Sequence, residues 1–395
     1  MKRKIAIIIQ KLHGGGAERA ASNLSIFLSE FYEVHVIVFD GSNAKYPVGG
    51  TLHDLKRKPS KFKIFTAVKR IFDIKKIKKE HNIECTISFM DNANIANVFS
   101  RQNDRVVVSI RNNMSVCSQY VKEMRTMFKI GFSLIKRKAD IIVAVAEGVR
   151  EDLIENYNVT PDKVVTVCNF CDNKLLMNLA SLNREAASSM AENSLITMGR
   201  LTEQKGQWHL LRAMPKVIES VPDAVLYILG EGPLEKELKE LARELKIENS
   251  VKFLGYVEAP HAFVANSKVF VLPSLLEGMS NVLLEAMAFG TPCIATDCHS
   301  GSRDVIAGCG KTLEKLDELE YAEYGILTSV CVSEQKNAFE PLTKEELQLA
   351  EAIVKLLIDG GLSAHYHKKA LERSEAFSPK TITKLWYDLI EGICR

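Results

Sequence analysis

Along the chain, short apolar runs alternate with longer stretches in which apolar residues recur at helical spacing. Residues 4–9 (KIAIII) predict a buried strand, and the polar, glycine-rich QKLHGGG follows. A helix is expected from about Ala17 to Ser29, with Ala20, Ala21, Leu24, Phe27 and Leu28 on one face, and then a strand at 34–39 (VHVIVF). This strand–loop–helix–strand order is a βαβ unit, which requires parallel pairing and places a ligand site near the carboxyl end of the first strand. Further strands are predicted at 85–90, 106–110, 140–146 and 163–168, separated by helical patterns at 92–101, 120–137 and 147–157. The first part of the chain therefore reads as a doubly wound α/β domain.

A polar, helix-prone stretch covers 172–193, after which the alternation restarts with strands at 195–199, 225–230, 251–255, 269–273 and 292–296. The implied organisation is a first domain over 1–175, a linker over 176–193, a second α/β domain over 194–377, and a terminal helix over 378–395. The tail from 343 onward is helical throughout, and periodicity leaves open whether it packs on its own domain or returns to the first. Two parallel-sheet domains put a ligand in the cleft at the carboxyl ends of both sheets.

Composition agrees with two packed cores: 395 residues, 46% hydrophobic and 26% charged. The start MKRKIAIIIQK is basic, but its apolar run is too short for a secretory leader, and no segment is apolar for the length of a bilayer. A cytoplasmic location and reduced thiols are expected, since nine cysteines are an odd, scattered set. Net charge is +3, but residues 1–180 carry +11 and residues 181–395 carry −8. The two halves thus present opposite fields.

Three segments carry candidate chemistry. In 273–297 (PSLLEGMSNVLLEAMAFGTPCIATD), Asn281 is placed to cap a helix from about Val282 to Phe289, with Gly290 stopping it. Backbone N–H groups of Ser280, Asn281 and Val282 at such a helix start favour a phosphate or diphosphate. Glu285, one turn on, can accept hydrogen bonds from neighbouring sugar hydroxyls, a nucleotide-like layout. Glu277 precedes Glu285 by eight residues; taken alone, both could be plain surface carboxylates. In 199–214 (GRLTEQKGQWHLLRAM), Arg200 and Lys205 flank a loop at a strand's carboxyl end, where a guanidinium and an amine suit a diphosphate, or are ordinary surface charges. In LHGGGAER, Gly15 and Gly16 permit close backbone approach by a ligand, or simply a turn; the loop is neither a Walker motif nor G-x-G-x-x-G.

Taken together, GGGAER, GRLTEQKG, GEGP, FLGY, the E-x7-E spacing of Glu277 and Glu285 inside EGMSNVLLEAMAFGTPCIATD, and SGSRD resemble glycosyltransferase family 4, in order over most of the chain. The resemblance implies a GT-B architecture of two Rossmann-like domains, with the C-terminal helix crossing back to the first. It also implies a nucleotide-sugar donor held mainly by the second domain and transfer with retention, with no cofactor and no metal required. Arg200 and Lys205 would clamp the donor diphosphate, Glu285 the ribose, and Glu277 with Gly278, Met279, Ser280 and Asn281 the donor sugar. Gly15 and Gly16 would approach the phosphates or the acceptor. Many members carry a histidine where this chain reads VVVSIRNN (106–113), and there is none from 82 to 208; Arg111 is the residue expected to act there, beside Asn112 and Asn113.

Residues 55–80 hold 11 Lys and Arg interleaved with Phe62, Ile64, Phe65, Val68, Ile71, Phe72 and Ile74, a surface suited to anionic lipid or simply a solvated basic helix. Nucleic acid is not expected, because no recognised binding motif accompanies the basic stretch. The stretch 307–325 reads as a surface insertion. Cys168 and Cys171 lack a second pair at zinc spacing, and His365 and His367 would point apart on a helix. The function these readings favour is transfer of a hexose or N-acetylhexosamine, with retention, from a UDP- or GDP-sugar to a saccharide acceptor, polyprenyl-diphosphate-linked or otherwise lipid-linked, in bacterial surface polysaccharide or glycan assembly. The alternatives are a nucleotide-sugar epimerase on the same fold and a non-catalytic nucleotide-sugar-binding subunit.

Overall fold

A computed structural model describes residues 2–57, 63–120, 125–298, 301–308, 316–331 and 337–395. The chain forms two compact units, one of Met1–Phe170 with Pro379–Arg395 and one of Cys171–Ser378.

The first unit is built on seven strands: β1 (Lys4–Ile9), β2 (Glu33–Val38), β3 (Thr51–Asp54), β4 (Cys85–Phe89), β5 (Arg105–Ile110), β6 (Ile141–Ala144) and β7 (Val164–Thr166). Their order is β3-β2-β1-β4-β5-β6-β7, parallel throughout. Ile5 to Ile9 are all sealed, because helices cover both faces of a parallel sheet and leave its central strand no polar side. The chain reverses its direction of strand addition between β1 and β4, which opens a crevice at their carboxyl ends.

The second unit repeats the plan with β8 (Ser194–Met198), β9 (Val225–Leu229), β10 (Val251–Gly255), β11 (Val269–Leu272), β12 (Cys293–Thr296), β13 (Glu320–Tyr321) and β14 (Ile326–Thr328). The order is β10-β9-β8-β11-β12-β14-β13, with β13 antiparallel to β14. Its reversal lies between β8 and β11, which pair in parallel.

The helix Pro379–Ile393 belongs to the first unit. Ile382, Trp386 and Ile390, spaced by four, are buried in the core that includes Leu24 and Phe89. Glu391 accepts hydrogen bonds from Arg3 at 2.7 Å and from the Tyr32 hydroxyl at 2.9 Å. Burial and that carboxylate push the Tyr32 phenol well above its ordinary pKa.

Several elements differ from the sequence expectation. β3 has no counterpart in it: TLHD is a four-residue edge strand with Leu52 43% exposed, so it lacks an apolar signal. The helix read over 120–137 is two, Met114–Tyr120 and Arg125–Lys138, with 121–124 outside the described residues. Asn281 is not the cap of the following helix. Ser280 occupies the cap with extended backbone, and Asn281 is the first residue of the helix Asn281–Ala288. The basic helix Lys63–Glu80 splits its apolar residues: Ile74 is buried with Ile71 and Ile77 beside it, while Ile64, Phe65, Val68 and Phe72 face outward. Phe62 lies outside the described residues, as does 309–315 of the expected insertion. Among the described residues no helix is long and apolar enough to cross a membrane.

Candidate active site

In the second unit the reversal of strand order sets two loops side by side, one leaving β8 at Gly199 and one leaving β11 at Pro273. They are laced together by backbone. The Leu275 N–H donates to the Gln204 carbonyl at 2.9 Å, and Gln204 Nε2 donates to the Leu276 carbonyl at 2.9 Å. Gly206 closes the first loop at φ +62, and a Cβ there would lie 2.2 Å from the Pro273 carbonyl oxygen. Both the backbone angle and the contact demand glycine.

This lacing carries Lys205 to Glu277. The ammonium pairs with Glu277 Oε1, which also accepts a hydrogen bond from Ser274 Oγ at 2.8 Å. The two side chains are 17% and 8% exposed, so the pair is partly shielded yet open to a ligand. Beyond Glu277 the loop is held from behind, where the Gly301 N–H donates to the Gly278 carbonyl at 2.7 Å. Met279 and Ser280 are buried, and Asn281 and Val282 half-buried, as the chain enters the helix Asn281–Ala288. No side chain caps this helix at Ser280.

Glu285 lies one turn further along and is 5% exposed. His261 Nε2 stands 3.5 Å from Glu285 Oε2, and neither ring nitrogen of this buried histidine makes a hydrogen bond among the described residues. Sequence reasoning missed His261, because PHAFVAN reads only as the apolar face of a short helix. Arg200 is exposed; its carbonyl accepts a hydrogen bond from Gln207 Nε2 at 3.1 Å, and its guanidinium has no partner among the described residues. The structure thus joins Lys205, Glu277 and Ser274 directly, sets Ser280 to Glu285 on the same loop and helix, and leaves Arg200 at the surface of the same strand end.

In the first unit the corresponding loop behaves differently. Gly15 is the cap of the helix Gly16–Leu28, and the Glu18 carboxylate folds over it, so that a Cβ on Gly15 would lie 2.1 Å from Glu18 Oε2. A negative charge already covers that helix start. Arg111, at the end of β5, donates to Asn169 Oδ1 and to Ser109 Oγ at 3.4 Å, and lies over the Phe89 ring at 5.5 Å. Burial pushes its pKa down to about 10. Asn112 is exposed, whereas Asn113 is buried and its Oδ1 accepts the Val116 N–H at 3.0 Å at the start of the helix from Met114. Asn113 therefore serves that helix. Met90, which follows β4, has φ +74 with no glycine to favour it, a strained position at a strand's carboxyl end that no sequence signal marks.

Cys171 is buried, and its thiol donates to the Leu284 carbonyl at 3.3 Å.

Residues 14–175 match the family model described as Glycosyltransferase Family 4, and residues 181–310 match the one described as Glycosyl transferases group 1. An uncharacterized glycosyltransferase of Methanocaldococcus jannaschii is 32% identical over 344 residues, 83% of this chain and 84% of that protein. The chain belongs to glycosyltransferase family 4. Among other relatives of this family 4 glycosyltransferase, the N-acetylgalactosamine-N,N'-diacetylbacillosaminyl-diphospho-undecaprenol 4-alpha-N-acetylgalactosaminyltransferase of Campylobacter jejuni is 28% identical over 391 residues, 97% of this chain and 98% of that one. The fold also matches Anabaena HepE, solved in complex with UDP-glucose, at a TM-score of 0.76 and 18% identity, over 98% of this chain and 99% of that one. The two parallel-sheet units are those of a GT-B glycosyltransferase.

Proposed function

We propose that this glycosyltransferase moves a hexose or N-acetylhexosamine, with retention, from a UDP- or GDP-sugar to a saccharide carried on a polyprenyl diphosphate, in the assembly of a bacterial surface glycan. The observation that carries the reading is the Lys205–Glu277 pair, held by two laced loops beside the start of the helix Asn281–Ala288. An amine already neutralised by a carboxylate can turn to a diphosphate when one arrives, and release the carboxylate to sugar hydroxyls.

As the bond from the anomeric carbon to the phosphate oxygen breaks, the electron pair stays on the diphosphate and the sugar becomes oxocarbenium-like. Lys205, Arg200 and the N–H groups of Ser280, Asn281 and Val282 would stabilise that growing negative charge more in the transition state than in the ground state. Glu285 would hold the ribose, and Glu277 with Gly278 and Met279 the sugar. With this much positive charge fixed in the protein, no cofactor or metal is needed at the diphosphate. In the first unit Glu18 disfavours phosphate at Gly15 and Gly16, so these glycines fit the acceptor side, with Arg111 near the sugar or acceptor hydroxyls. The lipid-linked acceptor is supported by the Campylobacter relative, whose name specifies a diphospho-undecaprenol substrate.

The basic helix Lys63–Glu80 fits the same picture. Ile64 is 83%, Phe65 60% and Phe72 66% exposed, among lysines that would each gain about 1 kcal/mol near an anionic surface. This makes the enzyme peripheral at the inner face of the cell membrane.

The test is a panel of nucleotide sugars, with and without membrane extract, read for free nucleotide and for extended glycolipid. Transfer predicts nucleotide release that depends on the extract and survives a chelator. Conversion of the donor without acceptor would identify an epimerase, and binding without release a non-catalytic subunit; either would overturn the proposal.

A further inference from the structure

We propose that His35, His53 and His81 form a binding site for one divalent cation of the zinc class at the edge of the first unit's sheet.

The site follows from register. β2 and β3 are parallel with His35 opposite Thr51 and Ile37 opposite His53, so period-two alternation puts His35 and His53 on the same face of the sheet, one rung apart. That face is covered by the helix Lys63–Glu80, which buries Ile74 against Ala6, Ile37 and Phe39. The helix ends there, and His81 follows with its N–H on the Ile77 carbonyl at 3.0 Å. A strand, an edge strand and a helix end thus deliver three imidazoles to one point.

The ring centroids lie 5.2 Å apart for His35 and His53, 4.5 Å for His35 and His81, and 5.0 Å for His53 and His81. Each ring offers a nitrogen within 4.8 Å of the others. A tetrahedral ion with Zn–N bonds of about 2.0–2.1 Å holds its ligand nitrogens about 3.3 Å apart, within reach of small ring rotations. His35 Nδ1 is already 2.9 Å from His53 Nε2, so one of these two nitrogens carries the proton an ion would displace.

The other nitrogen of His35 supplies the second argument. Nε2 lies 3.3 Å from Glu33 Oε1, an acceptor that draws the proton to Nε2 and leaves Nδ1 free to ligate. Metal-binding histidines are oriented by a carboxylate in this way. His35 is buried, while His53 and His81 are half-buried, which leaves a fourth position open to water. The negative end of the helix dipole favours a cation at this place. Lys4, whose ammonium is 3.6 Å from the same Glu33 oxygen, and the basic Lys78 and Lys79 of the helix's last turn oppose it. Imidazole ligands select zinc, copper or nickel over magnesium or calcium. The ion would tie the short edge strand β3 to the end of the helix.

The experiment uses the full-length chain, stripped with chelator and titrated with Zn2+ alone and with Co2+ alone. One ion should bind per chain, with Co2+ giving tetrahedral d–d absorption and no thiolate charge-transfer band. His53→Gln and His81→Gln should each weaken Zn2+ at least tenfold and abolish the Zn2+-dependent rise in melting temperature. X-ray absorption on the wild-type Zn2+ complex should show a nitrogen and oxygen shell with three imidazoles, a readout that needs no variant to fold. No stoichiometric binding, unchanged affinity in the double variant, thiolate bands, or fewer than three imidazoles would each overturn the site.

Discussion

Two lysine–carboxylate pairs, one in each unit, show the same chemistry in opposite settings, one closed and one open. Lys78 and Asp104 in the first unit are both 0% exposed and 2.9 Å apart. Every proton of the Lys78 ammonium has an acceptor, on Asp104 and on the Asn97 side chain and carbonyl, while Asp104 also takes the Thr86 hydroxyl and the Gln102 N–H. Burial still pulls the Lys78 pKa down, against the opposing pull of Asp104. Lys205 and Glu277 in the second unit are partly open, and the ammonium has Glu277 as its one partner among the described residues. A closed and saturated pair fixes a helix to a sheet. An open one, whose ammonium has a single described partner, is accessible to a ligand.

The contrast is broken most directly at Lys78. Lys78→Ala leaves Asp104 charged, buried and short of its counter-ion, a defect worth about 3–5 kcal/mol. Urea unfolding should show that loss, with donor kinetics unchanged in whatever fraction remains folded. Lys205→Ala should do the reverse, lowering turnover about 100- to 1000-fold, the usual cost of losing one charge-stabilising group, with the unfolding midpoint little moved. A Lys205→Ala enzyme with full turnover, or a Lys78→Ala protein of unchanged stability, would erase the distinction.

Much of this frame is visible in the residues alone. Continuous apolar runs announce the central strands of a parallel sheet, and glycine loops after β1 and β8 mark the strand ends beside which the strand order reverses. What escapes is whatever depends on register or on pairing across long stretches of chain. β3 is too short and too exposed to announce itself, so the meeting of His35 with His53 is invisible until the register of β2 and β3 is known. Ser280 and Asn281 are both good caps, and only backbone geometry chooses between them. Lys78 sits in a lysine-rich run that reads as solvated surface, and only its direction on the helix turns it inward.

A third ionic cluster tests whether closure, not which unit a group belongs to, decides the role. Glu346 in the second unit is buried with His209 at 2.8 Å and Arg212 at 2.8 Å, and its own backbone start is capped by Thr343. Burial by itself would raise the Glu346 pKa, but the hydrogen bonds from His209 and Arg212 prevail and hold it below its ordinary value. A carboxylate depressed in the folded state contributes stability above the unfolded pKa and loses it as pH falls through the folded one. Stability should therefore decline on the acid side of the usual carboxylate range, and Glu346→Gln should flatten that decline while costing about 1–3 kcal/mol at neutral pH, with donor kinetics unaffected. An unchanged acid profile would remove Glu346 from the closed class.

The smallest effect is the most discriminating, because His261 belongs to neither class cleanly. It is buried like the structural groups, yet neither ring nitrogen is hydrogen-bonded among the described residues, and it stands 3.5 Å from Glu285, the carboxylate proposed for the ribose. A polar ring left unbonded in a core is costly, so a role in positioning Glu285 is the economical account. Phe would fill the space and remove the polar neighbour. His261→Phe should therefore raise the donor KM up to about tenfold, a little over 1 kcal/mol, with kcat preserved, since ground state and transition state would lose the same ribose contact. His261→Gln, which restores a polar group, should recover part of the loss, a recovery that packing alone would not produce. A fall in kcat at constant KM would instead place His261 with the groups that act only as the bond breaks, and would move the boundary of the open site one residue deeper into the second unit.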